Sequence, residues 1–316
     1  MNRLFRGFEE PLILVTNDDG VESPGLIAAI RSVSHLGRVI VVAPTTQQTS
    51  RGRSMIGDFA DVLHLTALPG LNGCEVYHID ASPALAVQHA MNTIFAERWP
   101  DLVVSGINYG ENLGIDITIS GTVGAAFQAA AYAVPAIAAS QQVDVAHHYV
   151  YGEVDWQGST RVVQSYAQRM IDALSALPPP AAPSGRLRLS EPRPFPFDVL
   201  KIDAPADCPP GTPERISRLA RRHYFLFTID APTAESPIGA GRTRVDEDID
   251  LIRPGDDVHT LAVDGAVAVT PLSLDFTAPL EESARALGLA PADGSPVDGS
   301  SANRSVYIDK GSRPAQ

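Results

Sequence analysis

Asn17-Asp18-Asp19-Gly20 follows a short apolar run near the start of the chain. Neighbouring residues of a strand point to opposite faces. Asp18 and Asp19 can therefore serve one site only where the pleat has ended, and Gly20 supplies such a turn. Two carboxylates brought close repel, and one takes up a proton unless a cation lies between them. Hard divalent cations such as Mg2+ or Mn2+ prefer oxygen ligands. The plain alternative is a turn closed by Asx hydrogen bonds, since Asp-Gly is a common turn pair. Two other polar segments could converge on this one. Residues 45–54 (TTQQTSRGRS) read by themselves as a solvated loop, with the sharper alternative of one hydroxyl completing a metal shell and Arg51 or Arg53 near a phosphate. Residues 105–122 (SGINYGENLGIDITISGT) carry glycines that allow backbone to approach a ligand, and Asn108 and Asn112 as neutral oxygen ligands or amide donors. Ser120-Gly121-Thr122 opens a helix, whose free N–H groups and dipole favour an anion. Any one of these hydroxyls reads as an ordinary cap, but the whole run does not.

The elements that must position these groups follow from apolar periodicity. Residues 12–16 and 38–43 are continuous apolar runs, the mark of strands buried on both faces. Between them Ser23-Pro24 starts a helix with a stripe of Leu26, Ile27, Ile30 and Val33, and Gly37 ends it. This βαβ unit implies a parallel sheet with right-handed crossovers. Strands at 75–79, 102–105 and 136–139 and helices at 83–96, 121–132 and 159–177 continue the pattern. The fold class is α/β, a Rossmann-like, mostly parallel three-layer sheet with a smaller β-rich C-terminal extension. The expected division is an extension over 1–10, a core over 11–180, a β-rich oligomerisation region over 185–288 and a flexible polar tail over 289–316, with the proline-rich 178–185 as linker. In open parallel sheets ligands bind beyond the carboxyl ends of the strands. All three polar segments lie there.

Composition narrows the function. The chain has 316 residues and a formal charge of −13, which argues against a binder of nucleic-acid polymers or acidic membranes. A small phosphorylated substrate held at a metal stays open. The two cysteines, Cys74 and Cys208, form neither a zinc pattern nor a disulfide framework, and no stretch is apolar enough to span a bilayer. A cytoplasmic protein is expected. A dinucleotide oxidoreductase would need G-x-G-x-x-G where this sequence has NDDG. His147, His148 and His223 read as surface or core residues and receive no catalytic role.

Together TNDDGVESPGL, VVAP-x4-T and SGINYGENLG-x5-SGTVGAA resemble the survival protein E (SurE) family of metal-dependent 5′-nucleotidases. ASPALAV, LKIDAP and VAVTPLSLDFTA extend the resemblance over residues 11–280. It implies one divalent cation, Mg2+ or Mn2+, held by Asp18, Asp19, Asn108 and a hydroxyl, with the two Asp at the catalytic centre. Counting from Pro44, the hydroxyl is that of Thr49, where the family usually has serine. The adjacent Ser50 takes its place if the loop is shifted. Asn112, Ser120, Gly121 and Thr122 match the family's phosphate site. Thr45 and Thr46 replace charged residues common in the family, and Ala81-Ser82-Pro83 replaces its Gly-Thr-Pro. Both departures bear on substrate preference. The implied reaction is hydrolysis of nucleoside 5′-monophosphates, with 3′-monophosphates and short polyphosphate as further candidates, by a homodimer or homotetramer that exchanges C-terminal elements. A non-catalytic nucleotide-binding or assembly protein would use the same binding features. The Asp-x-Asp spacing of aspartyl-phosphate chemistry is absent.

Overall fold

The structure is a computed structural model that describes residues 5–71, 73–148, 150–177, 194–246, 248 and 252–289. The chain forms two compact units, Met1–Leu274 and Asp275–Gln316. The linker expected at 178–185 and the tail beyond 289 lie outside the described residues.

The first unit begins with β1 (Leu12–Thr16), α1 (Pro24–Val33), β2 (Arg38–Pro44), β3 (His64–Thr66), β4 (Glu75–Ile79), α2 (Pro83–Asn92) and β5 (Leu102–Tyr109). It continues with α3 (Gly121–Ala130), β6 (Ala136–Gln141), α4 (Gln157–Ser175), β7 (Val199–Ala204), β8 (Glu214–Ile216), β9 (Phe225–Thr228), β10 (Arg242–Val245) and β11 (Val267–Leu272). Among the described residues nine strands form one sheet in the order β3-β4-β2-β1-β5-β6-β7-β11-β8, and β9 and β10 form a separate antiparallel ribbon. The strands from β4 to β7 pair in parallel, while β3 and β11 run antiparallel to β4 and β7. β1 lies centrally and is buried throughout, which is why its run is apolar at every position. Ile13 and Val15 pack with α1 and α4 on one face, and Leu12 and Leu14 with α2 and α3 on the other. The chain leaves β1 toward β2 and later returns on the opposite side as β5. That reversal opens a crevice at the carboxyl ends of β1 and β5, where an α/β sheet binds its ligands.

Three elements differ from the sequence reading. α2 stops at Asn92 and not near Ala96, because the Asn92 and Thr93 side chains donate back to the carbonyls of Gln88 and His89 and compete with the helical ladder. β5 runs on past Ser105 to Tyr109, with a shift of register against β6 that brings Asn108 and Tyr109 opposite Ser140 and Gln141. In the second half β7, β11 and β8 join the main sheet, so β6-α4-β7 is one more βαβ unit. Lys201 and Asp203 interrupt the apolar run of β7, which hides the place of this β pattern inside the main sheet. Residues 5–10 fold back on themselves, with Phe5 and Phe8 exchanging backbone hydrogen bonds of 2.7 and 2.8 Å.

In the second unit α5 (Leu280–Leu287) carries Glu281 and Glu282 in its first turn, where they complement the helix dipole, and ends at Gly288 in the left-handed conformation. Among the described residues no helix is long and apolar enough to cross a membrane.

α3 packs directly on the loop after β2. A Cβ placed on Gly124 would lie 2.2 Å from the Gly52 carbonyl oxygen, which is backbone and cannot swing aside. Gly124→Val is expected to cost about 1–3 kcal/mol of stability by overpacking. Urea unfolding measures it, and an unchanged midpoint contradicts this packing.

Candidate active site

The turn after β1 is closed by Asn17, not by the aspartates. Its Nδ2 donates to the Gly20 carbonyl at 2.9 Å, and its Oδ1 accepts from the Gly20 N–H at 3.3 Å. Asp18 and Asp19 are thereby free for another task, although they are only 5% and 2% exposed. The Asp18 carboxylate lies at the N-terminus of α3. It accepts from the Thr122 hydroxyl and from the backbone N–H groups of Gly121 and Thr122. A Cβ on Gly121 would stand 2.7 Å from Asp18 Oδ2, so only glycine admits the carboxylate there. Asp19 accepts from Gln47 Nε2 at 3.2 Å and from the Tyr109 N–H at 3.1 Å. Burial pushes the Asp18 carboxyl up to about 6. Burial and the neighbouring Asp18 push Asp19 well above the usual carboxylate range. Among the described residues no lysine or arginine forms an ion pair with either.

Asn108 spends both amide hydrogens on the loop, donating to the Gly110 carbonyl at 2.6 Å and the Tyr109 carbonyl at 3.3 Å. Its Oδ1 is what remains to offer a ligand. Thr49 is half-buried and Ser50 is exposed with φ of +61°. Their loop is pinned where the Gln48 N–H donates to the Asp18 carbonyl at 2.7 Å and the Gly52 N–H to the Ile119 carbonyl at 2.8 Å. Asp18, Asp19, Thr49, Ser50, Asn108, Asn112 and Ser120 all line one cleft of about 650 Å³. Two carboxylates and neutral oxygens fit a hard divalent cation, and the uncompensated buried charge calls for one. No group of three or more His, Cys, Asp or Glu able to hold a metal occurs among the described residues, so neutral oxygens must complete the shell.

The residues expected at the phosphate divide. Asn112 and Ser120 line the cleft. Ser120 Oγ also caps α3 by accepting from the Val123 N–H at 3.2 Å. Gly121 and Thr122 stand behind Asp18, which uses the helix-terminal N–H groups that the sequence reading gave to a phosphate. Arg51 and Arg53 do not line the cleft, and Arg53 Nε donates to Gln128 Oε1 at 2.8 Å.

Sequence reasoning missed two sets of residues. Lys201, Asp203 and Asp257 form a fully buried ionic cluster behind the cleft, with Lys201 Nζ against Asp203 Oδ2 and 3.1 Å from Asp257 Oδ2. Burial disfavours the ammonium, but the two carboxylates outweigh it and hold Lys201 above its ordinary value. The cluster clamps the loop that carries Asn112. Lys201 Nζ donates to the Asn112 carbonyl and Asp203 Oδ1 accepts from the Asn112 N–H, both at 2.7 Å. Asp257 accepts from the Gly114 N–H at 3.1 Å. The signal was two charges at alternate positions of an otherwise apolar run, on one face of a strand. The second set is the far wall of the cleft: Phe225, Leu226 and Phe227 of β9, Thr243 of β10, and His148 and His223. Nothing local in the sequence folds that ribbon toward the carboxylates.

The family model described as "Survival protein SurE" matches residues 13–225. Proteins named 5′-nucleotidase SurE from Methanocella arvoryzae and Methanosarcina barkeri are each 39% identical. The first aligns over 84% of this chain and 93% of its own length, the second over 86% and 96%. The crystal structure of the SurE protein from Aquifex aeolicus superposes with a TM-score of 0.64 at 26% identity, over 88% of this chain and all of that one.

Lys201→Met leaves two buried carboxylates without their cation. Breaking a buried ion pair in this way costs about 3–5 kcal/mol. Urea unfolding at pH 7.5 checks it, and a loss under about 1 kcal/mol would contradict a charged cluster.

Proposed function

Because the chain belongs to the survival protein SurE family, we propose that it is a metal-dependent 5′-nucleotidase that hydrolyses nucleoside 5′-monophosphates to nucleoside and phosphate. The carrying observation is the pair of buried carboxylates without a protein cation, opening on a cleft whose opposite wall is aromatic. One end suits a cation and a phosphate, the other a flat apolar group such as a nucleobase.

Asp18, Asp19, Asn108 and Thr49, or Ser50 in its place, would hold a single Mg2+ or Mn2+. When bound, the cation supplies Lewis-acid charge to a phosphoryl oxygen and a template for water. The remaining work belongs to the chain. Thr122 and the start of α3 fix Asp18, while Gln47 and the Tyr109 N–H fix Asp19, so neither carboxylate must reorganise as charge develops. Asn112 and Ser120 face the phosphate, the former held by the Lys201 cluster. Phe225 and Phe227 offer an apolar surface to the base and limit water around it.

We also read the protein as a cytoplasmic homodimer or homotetramer. The exposed Ile216, Phe227 and Ile238 support the assembly, and the free Cys74 and Cys208 support a reducing compartment. Light scattering that gives a fully active monomer contradicts the assembly.

Phosphate release from AMP, GMP, CMP and UMP, with Mn2+, with Mg2+ and with chelator, tests the activity. Turnover should require the cation, and Asp19→Asn should lower kcat by roughly 100-fold or more while leaving the fold intact. Thr49→Val should weaken metal dependence more than Ser50→Ala, and the reverse order would identify Ser50 as the ligand. Full activity in chelator, unchanged in Asp19→Asn, would sink the proposal.

A further inference from the structure

One hydrogen-bonded side-chain pair on the cleft wall has no assigned part in holding a cation or a phosphate. His223 Nδ1 lies 2.6 Å from Asp116 Oδ1, and the His223 side chain is 63% exposed. Asp116 cannot swing away, because its Oδ2 accepts from the Tyr224 and Phe225 N–H groups at 2.8 and 2.9 Å. Both residues line the same cleft as Asp18, Asp19 and Asn108. Asp116 belongs to a short 3₁₀ turn, Gly114–Thr118, between the phosphate-facing Asn112 and Ser120. The dyad is therefore tethered at the phosphate end, while Phe225 continues from it into the aromatic wall. The neighbouring Arg222 is committed to Asp246 and to the Asp248 carbonyl.

A carboxylate fixed at Nδ1 sets the ring orientation and leaves Nε2 as the nitrogen available to a ligand. No other titratable group of the cleft wall is so placed. His148 Nε2 is buried without a partner and packs against Gly110, where a Cβ would come within 2.7 Å of it. Glu111 is 4% exposed and hydrogen-bonded to Tyr224. Asp18 and Asp19 are the candidate cation ligands.

Resting on the nucleotidase reading above, we propose that His223, oriented by Asp116, is the catalytic proton donor to the departing nucleoside oxygen. A nucleoside leaves as an alkoxide, a poor leaving group unless protonated as the bond breaks. In the step, water oxygen forms the new P–O bond and the P–O5′ bond breaks. Its electron pair goes to O5′, which takes the proton from Nε2 of the His223 imidazolium. The water's proton passes to phosphate or solvent, and solvent returns a proton to the neutral imidazole.

A leaving group that needs no proton separates this role from a structural one. The experiment measures kcat/KM for AMP and for p-nitrophenyl phosphate, with Mn2+ in excess, on the full chain, on His223→Gln and on Asp116→Asn. A general acid contributes about 10²–10⁴-fold. His223→Gln should therefore lose roughly 100-fold or more on AMP and about threefold at most on p-nitrophenyl phosphate. Asp116→Asn, which misorients the ring without removing it, should show the same asymmetry to a smaller extent. Equal losses on both esters, or no loss on AMP, overturn the proton-donor role while the nucleotidase reading stands. A wild-type protein that cleaves neither ester overturns that reading, and this assignment with it.

Discussion

Two adjacent carboxylates, buried with no ion-paired lysine or arginine among the described residues, are the constraint around which the rest is arranged. Placing Asp18 and Asp19 together in a low-dielectric crevice is unfavourable unless a positive charge joins them. The surroundings make that placement possible without neutralising it. Asn17 closes the turn, so the aspartates are not consumed by it. The N-terminus of α3 offers Asp18 partial positive charge, and Gly121 gives it room. Gln47 and the Tyr109 N–H offer Asp19 hydrogen bonds. Each contact orients a carboxylate oxygen without supplying a formal charge, and that arrangement suits an external divalent cation.

The Lys201 cluster, in the same unit, shows the opposite solution. There the chain brings its own ammonium to Asp203 and Asp257, and the three groups spend their remaining bonds on the backbone of residues 112, 114, 220 and 258. A self-compensated cluster fixes a loop, whereas an uncompensated pair waits for a ligand. The charge balance of the Lys201 cluster thus sets the position of Asn112, which lines the same cleft as Asp18 and Asp19. The β9–β10 ribbon completes the cleft and is tied down at its root by Asp116, which accepts the first two N–H groups leading into it.

The central strands and their helices were legible because residues buried on both faces of a parallel sheet must be apolar at every position, as Leu12–Thr16 is. That the segments carrying Asp18, Asp19, Asn108 and residues 49 and 50 line one cleft was legible for a related reason. Oxygen-bearing side chains at the ends of such strands converge through topology alone. The phosphate reading of Gly121 and Thr122 rested on the general affinity of helix N-termini for anions. The N–H groups there meet Asp18, a partner supplied from the turn after β1 that no local spacing reveals. β7 was legible as a β pattern but not as a member of the main sheet, because Lys201 and Asp203 satisfy each other's charge inside that sheet, which a single-strand pattern cannot display. The ribbon's place over the cleft depends on contacts distant in sequence, such as Asp116 with His223, and these carry no periodic signature.

Thermal unfolding against pH, with and without Mn2+, tests most directly whether Asp18 and Asp19 jointly hold a divalent cation. Burial raises the Asp18 carboxyl from 3.8 to about 6 and Asp19 further, so the metal-free folded state binds more protons than the unfolded chain above pH 4. Stability contributed by these groups is therefore present at low pH and lost as pH rises through the folded-state values. A divalent cation held by the pair would bind only its deprotonated form, so stabilisation by Mn2+ should grow over the same interval. At a free concentration about 100 times the dissociation constant it should reach roughly 2.7 kcal/mol. The account predicts a rise in Tm on adding Mn2+ that is larger at pH 7.5 than at pH 5 and absent when both aspartates are replaced by asparagine. A Tm at pH 7.5 that is indifferent to Mn2+, or a rise that survives the double replacement, would contradict it.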